Sequence, residues 1–406
     1  MTTPEPLRRT LGTVDAVFIG LGSMIGAGIF VVLAPAAAAA GTQLLVGLSL
    51  AAMVTYCNAM SSARLAARYP VSGGTYVYGR ERLGPFWGHT AGWSFVVGKT
   101  ASCAAMALTV GYYAWPEHAR LVAVGAVVVL TALNVVGVQR SATATRVIVT
   151  AVLVVLAVVV VTLFGSDALE SARLAYSDAV GLGGLLQAAG LLFFAFAGYA
   201  RIATLGEEVR DPETTIPRAI LVSLGVTLLV YATVATAVLA ALGASAVAAS
   251  VAPLADAVAV VGQPGLVPVV RIAATVASVG ALLALILGVS RTSLAMARDR
   301  HLPHALSAVH PRYASPHRAE LAVGLAVTVL VLLLDVRGAI GFSSFAVLVY
   351  YAIANASAFT LGRRVIPVLG FIGCVVLAFA LPWQSVAAGV GVVALGAVAY
   401  AVTARG

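Results

Sequence analysis

GLGSMIGAGIF, residues Gly20–Phe30, decides how this chain is read. It puts four glycines, Gly20, Gly22, Gly26 and Gly28, inside an apolar run that extends from about residue 13 to about 34. A run of this length is the mark of a membrane helix, because about 20 residues rising 1.5 Å each cross about 30 Å of hydrocarbon. Glycine works against that helix, at about 1 kcal/mol apiece relative to alanine. In lipid an unpaired peptide group costs several kcal/mol, so an interrupted helix is expected only where it lines a cavity or meets a ligand. The competing reading is that Gly22, Gly26 and Gly28 form a small-residue seam for close helix packing. What lies around the stretch bears on that choice.

The 406-residue chain is 61% hydrophobic and 10% charged, with a mean hydropathy of +1.03. That composition excludes a water-soluble globule, which carries about 25% charged residues. It is expected to be all-α and integral to a membrane, with about twelve spans forming a single domain over 1–406. The spans fall at about 13–34, 41–67, 86–114, 119–138, 146–165, 183–206, 217–242, 266–297, 318–335, 338–361, 365–381 and 384–402. The first run continues to full span length without a convincing cleavage site, so it is expected to remain as a span.

A net charge of +9 raises the question of nucleic acid, and the positions of the arginines answer it. Arg8 and Arg9 precede the first span, and Arg64, Arg68, Arg80 and Arg82 follow the second. Arg140 and Arg146 separate the fourth and fifth, Arg210 and Arg218 follow the sixth, Arg298, Arg300, Arg312 and Arg318 the eighth, and Arg363 and Arg364 the tenth. Intervening loops are poor in arginine: 166–179 carries Asp167, Glu170 and Asp178 against Arg173. By the positive-inside rule this is topology, with both termini cytoplasmic and no nucleic-acid partner. Cys57, Cys103 and Cys374 lie singly in spans and suggest neither a disulfide nor a metal site.

A second interruption occurs in FFAFAGYARIATLGEE, Phe193–Glu208, with Ala197, Gly198 and Tyr199 at mid-depth of the sixth span. Broken spans in corresponding positions of two halves point to an inverted-repeat transporter that binds its substrate near the bilayer midplane. Repeat one would cover about 13–165 and repeat two about 183–361, with accessory helices at about 365–402. Five spans per repeat make the two halves opposite in topology. The pairing also weighs against the packing seam.

GSMIGAGIF (Gly22–Phe30), YPVSGGTYVYGRERLGPFWG (Tyr69–Gly88), FFAFAGYARIATLGEEVRDPETTIPRAI (Phe193–Ile220) and SLAMARDRHLP (Ser293–Pro303) together resemble the amino acid-polyamine-organocation permeases, in their branch of bacterial amino acid permeases with the LeuT-type fold. The resemblance runs along most of the chain. It implies helices one and six unwound at mid-membrane, and a secondary transporter of an amino acid in the cytoplasmic membrane. It further implies that the amides of Ala27 and Gly28 bind a substrate carboxylate, and that the carbonyls of Met24, Phe194 and Ala197 bind its ammonium. Ile25, Gly26, Gly198 and Tyr199 complete the two binding segments. Phe194 would close over the substrate as a lid, and Arg201, Glu207 and Glu208 would join it in gating. Backbone physics agrees, since a helix start offers N–H groups and a helix end offers carbonyls.

Two departures stand out. Members of the family often carry an acidic residue after the Gly-aromatic pair of the sixth helix, where this chain has Ala200 and Arg201. Some relatives place a lysine in the fifth helix, where VIVTAVLVVLAVVVV has none. Instead, the single lysine of the chain is Lys99, in FVVGKTASCA of the third span. It sits roughly 20 Å from each end of that span, too deep for an easy snorkel. No intramembrane carboxylate is evident to compensate it, because the acidic residues fall in loops or at span ends. Three roles are open: a proton carrier held by carbonyls of the first helix and hydroxyls such as Ser102 or Ser290, a permanently charged clamp between helices, or a direct contact to the substrate carboxylate.

The leading expectation is an amino acid transporter, most readily for a neutral side chain, coupled to protons or exchanging. The alternative is a cation or polyamine carrier, or a channel-like ion pathway on the same fold. An enzyme is disfavoured because no intramembrane histidine cluster or HExxH motif is present, and no cofactor is implied. His301, His304, His310 and His317 share one loop without metal-ligand spacing. Glu207, Glu208, Arg210 and Asp211 read equally as an inner charge network or as a solvated surface.

Overall fold

The computed structural model describes residues 11–69, 73–137, 142–175, 180–203, 205–206 and 208–403. These form eighteen α-helices: α1 Thr13–Met24, α2 Gly28–Val31, α3 Leu33–Ala40, α4 Leu44–Arg68, α5 Thr75–Leu83, α6 Pro85–Ala114, α7 Ala119–Val135, α8 Ala142–Phe164, α9 Leu182–Phe196, α10 Ala200–Ala203, α11 Pro212–Leu242, α12 Ala244–Ala249, α13 Pro253–Val260, α14 Val267–Arg298, α15 His317–Leu333, α16 Val336–Phe359, α17 Val365–Ala380 and α18 Trp383–Thr403. The single β-bridge among the described residues joins Leu11 to Val209. The Leu11 amide donates to the Glu208 carbonyl at 3.1 Å and the Arg210 amide to the Leu11 carbonyl at 2.9 Å. This ties the segment before α1 to the segment after α10.

Each of the twelve expected runs holds helix over its described residues, the first and sixth in more than one piece. Ten helices among the described residues are long and apolar enough to cross a membrane. The other two, α15 and α17, have 17 and 16 residues and reach about 25 Å at 1.5 Å per residue, a little under the hydrocarbon thickness. The first span differs from its expected bounds: after a bend at Val32 it continues as α3 to Ala40. Pro35 explains the bend, having no amide to donate and a ring that crowds the carbonyl four residues back. Gly41, at φ +53°, stops the helix in a conformation that L side chains rarely adopt.

Helix α6 lies at the centre. Its most apolar window is 83% buried, against 17% for α18, and it packs most extensively against α16 and α14. The approach to α16 depends on a small residue, since a Cβ on Gly98 would lie 2.8 Å from the Ala346 Cβ. Lys99 follows directly, in the middle of the most enclosed helix. On the other side α1 packs on α8, α11 and α14, and α4 on α9 and α11.

Candidate functional site

The first interruption is a true gap in the helical ladder. The Ile25 amide still bonds to the Leu21 carbonyl at 2.7 Å, and bonding resumes with Phe30 to Ala27 at 3.1 Å and Val32 to Gly28 at 3.0 Å. Between them, the amides of Gly26, Ala27 and Gly28 meet no backbone acceptor among the described residues. Met24, Ile25 and Ala27 are nonetheless buried, which is the condition under which a broken helix marks a site. Gly26 and Gly28 are also packing residues. A Cβ on Gly26 would lie 2.4 Å from the Ala281 Cβ, and one on Gly28 2.8 Å from the Ala195 Cβ. The glycines of this stretch thus lie both at the gap in the ladder and at close helix contacts.

The sixth span is tightened rather than opened. Helix α9 ends at Phe196, a 3-10 turn covers Ala197–Tyr199, and α10 follows at once. The Ala197 amide bonds back to the carbonyls of Phe193 and Phe194. The Ala197 carbonyl accepts from Lys99 Nζ at 3.1 Å. Gly198 presses on the first span, where a Cβ would fall 2.3 Å from the Ser23 carbonyl oxygen and 2.8 Å from the Met24 nitrogen. Only glycine lets the two interruptions touch.

Tyr231 of α11 bridges them from behind. Its hydroxyl is 2.6 Å from the Met24 carbonyl oxygen and 3.2 Å from that of Ala195. A lone tyrosine in an apolar helix carries no sequence signal that separates it from the other twelve, so sequence reasoning missed it. It also missed Glu320 near the start of α15, which is fully buried with neither carboxylate oxygen hydrogen-bonded among the described residues. Its only hint was a position three residues into an apolar run.

The expected residues thus converge in part. Lys99 bonds to Ala197, Gly198 abuts Met24, Gly28 abuts Ala195 and the Tyr231 hydroxyl that also reaches Met24, and Phe194 is buried in α9. The Tyr199 ring stacks on Tyr351 of α16, centroids 5.1 Å apart. Lys99 corrects one expectation. It is held by the sixth span, its Nζ donating to the Ala197 carbonyl, and among the described residues no hydrogen bond joins it to the first. Ser102 and Ser290 do not hold it: Ser102 pairs with Ser343 at 2.6 Å and Ser290 bonds within its own helix.

Arg201 and Glu208, 3.8 Å apart, line a cavity of about 190 Å³ with Gly22, Ser23, Asn134 and Arg291. The cavity leads from the end of the bundle that holds Leu11 to the turn of α1 just before the break. Glu207 lies outside the described residues. At the same end, Tyr76 donates to Asp299 at 2.6 Å and Arg80 pairs with Asp299 at 3.0 Å. His301 joins this group through Tyr76, and burial pushes its imidazole pKa down. No histidine, cysteine or acidic group among the described residues is arranged to hold a metal ion.

Residues 15–406 match the sequence profile described as amino acid permease. The chain is 67% identical over 405 residues to an uncharacterized transporter of Mycobacterium tuberculosis (strain ATCC 25618 / H37Rv), covering 98% of this chain and 92% of that one. It is 26% identical over 347 residues to the branched-chain amino acid permease of Bacillus subtilis (strain 168), covering 79% and 74%. It is 26% identical over 386 residues to cationic amino acid transporter 4 of Homo sapiens, covering 88% and 60%.

Proposed function

The chain belongs to the amino acid permease family, a multi-pass membrane transporter of amino acids rather than an enzyme, and on that premise we propose that its substrate is a neutral amino acid, moved by alternating access with proton coupling or exchange. The observation that carries the proposal is the contact between two interrupted helices with Lys99 on the Ala197 carbonyl. The unpaired amides of Ala27 and Gly28 suit a carboxylate, and the carbonyls of Met24, Phe194 and Ala197 suit an ammonium. Ile25, Gly26, Gly198 and Tyr199 frame that space, with Phe194 as its lid. Arg201 and Glu208, and by extension Glu207, act in gating where the cavity meets the break.

The neutral side chain follows from charge. A cationic substrate group would be placed against Lys99 with no carboxylate contacting either, which also disfavours a polyamine. Lys99 is the proton-coupling residue because an ammonium exchanges its proton where a guanidinium such as Arg201 does not. In this reading the repeats cover about 13–165 and 183–361 in a LeuT-type inverted pair, and 365–402 is accessory. The arginine-rich loops, and with them both termini, face the cytoplasm.

The test is uptake into proteoliposomes of each neutral amino acid, with L-leucine first, under an imposed pH gradient. Saturable, stereoselective uptake is expected. Uptake of none, or single-channel currents in its place, would overturn the reading.

A further inference from the structure

The two halves of the central site differ in what already occupies them. The amides expected to take a carboxylate meet no backbone acceptor among the described residues, whereas the carbonyls expected to take an ammonium are already served by the chain itself. Met24 accepts from the Tyr231 hydroxyl, Phe194 from the Ala197 amide, and Ala197 from the Lys99 ammonium at 3.1 Å. The Tyr231 hydroxyl and the Ala197 amide are neutral donors, and a carbonyl has two lone pairs, so those bonds do not bar a second donor. Lys99 is different in kind because it brings a full charge to the place where the substrate would bring its own.

We propose that protonated Lys99 is a tethered competitor for the substrate ammonium, so that the site carries either a proton on Lys99 or an amino acid, and the transporter exchanges the two in opposite directions. This rests on the amino acid reading above and gives its coupling a sign. Two ammonium groups on one carbonyl oxygen would stand about 5 Å apart, a repulsion worth about two orders of magnitude in affinity at an effective dielectric near 20. Once Lys99 gives its proton to water, its amine lone pair becomes an acceptor for the incoming ammonium. One zwitterion binds and one proton leaves, so charge and atoms balance. On return, the empty site takes up a proton and Lys99 closes again on Ala197.

Among the described residues, no acidic group is hydrogen-bonded or ion-paired to Lys99. The Cys103 thiol lies one turn along α6. On the elements packed against α6, the buried ionisable residues are Tyr76 and Tyr78 on α5, Glu320 on α15 and Tyr350 and Tyr351 on α16, and no hydrogen bond or ion pair joins any of them to Lys99 among the described residues. A competing carboxylate would hold the ammonium off Ala197, and none touches it among the described residues.

The experiment uses full-length protein in proteoliposomes with L-leucine and the other neutral amino acids as probes. Acid inside the vesicle is expected to drive uptake and acid outside to suppress it, and amino acid affinity is expected to fall about tenfold for each unit of pH below the lysine's titration. Lys99→Met should bind the same amino acid about a hundredfold more tightly than wild type at acid pH, keep counterflow, and lose the response to either gradient. Lys99→Arg, a permanent cation of similar reach, should lose binding at every pH, which separates charge from folding. Uptake driven by acid outside, or weaker binding in Lys99→Met, would overturn the competition while leaving amino acid transport intact. Binding of no amino acid to wild type or to Lys99→Met would instead remove the reading on which it rests.

Discussion

The interruption of the first span is open and that of the sixth is filled. Three consecutive residues, Gly26, Ala27 and Gly28, leave their amides without backbone acceptors among the described residues, while Ala197, Gly198 and Tyr199 wind into a 3-10 turn whose Ala197 carbonyl is capped by a lysine from α6. The two are in contact, so the difference is not one of environment. It comes from the side chains supplied. Four glycines withdraw helix propensity from Gly20–Phe30, whereas Gly198 is the single glycine of Phe193–Ala203 and the chain bonds as closely as it can around it. The lesson is that a membrane helix can be broken by weakening its ladder or by satisfying one of its carbonyls from outside, and this site uses one device on each side.

The largest test of that comparison is Gly198→Ala, because this residue is where the interruptions meet. The new methyl group would lie 2.3 Å from one backbone oxygen and 2.4 Å from its carbonyl carbon. Neither can rotate away as a side-chain tip would, so the helices must separate. Loss of about 4 kcal/mol or more of stability is expected, or failure to fold, read by thermal unfolding of the detergent-purified protein. Wild-type stability would mean that the interruptions are not in contact.

Gly26→Ala comes next. Its methyl would meet the Ala281 Cβ at 2.4 Å and the Gly22 carbonyl oxygen at 3.0 Å, a contact with α14 that a shift of one side can relieve. A cost of about 1–3 kcal/mol is expected, together with a loss of transport greater than the loss of folded protein, since the added residue also favours rewinding of the gap. Equal losses would reduce Gly26 to a packing residue.

The sequence made these two positions unequal as well. GLGSMIGAGIF was legible because glycine density is a local signal, and so were the hydropathy runs that became the twelve helices. The contact of Gly198 with Ser23 was not, because it depends on how α1 meets the Ala197–Tyr199 turn. Lys99 was legible as an anomaly of charge at depth. Which break it would serve was not, because that depends on how α6 is placed in three dimensions among helices far apart in sequence. Tyr231 left no trace in the sequence, although it ties α11 to both interrupted spans. A tyrosine among apolar residues is ordinary, and only a three-dimensional neighbourhood shows that its hydroxyl bridges two carbonyls.

Tyr231→Phe removes that bridge and leaves the ring, which packs on Phe196 with centroids 5.2 Å apart. The Met24 and Ala195 carbonyls would lose a buried partner, at a cost of about 1–3 kcal/mol. The open side of the comparison should become more open. Amide exchange by mass spectrometry is expected to rise in Met24–Phe30 and to stay constant in Ala197–Tyr199, where Lys99 still caps the turn. Equal increases in both segments would mean that the two breaks respond as one unit.

The smallest effect is expected where a glycine does none of this. Gly225 lies within α11 on an exposed face, and a Cβ there would meet nothing within 4 Å. Gly225→Ala therefore adds no collision and relieves only the conformational freedom that glycine keeps in the unfolded chain. A gain of about 0.5–1 kcal/mol is expected, with transport unchanged. Because Gly26→Ala and Gly225→Ala make the same chemical change, the gap between them isolates what position contributes. If Gly225→Ala also impaired transport, the glycines of the broken spans would have no special standing, and membrane-helix glycine in general would be what the transport cycle needs.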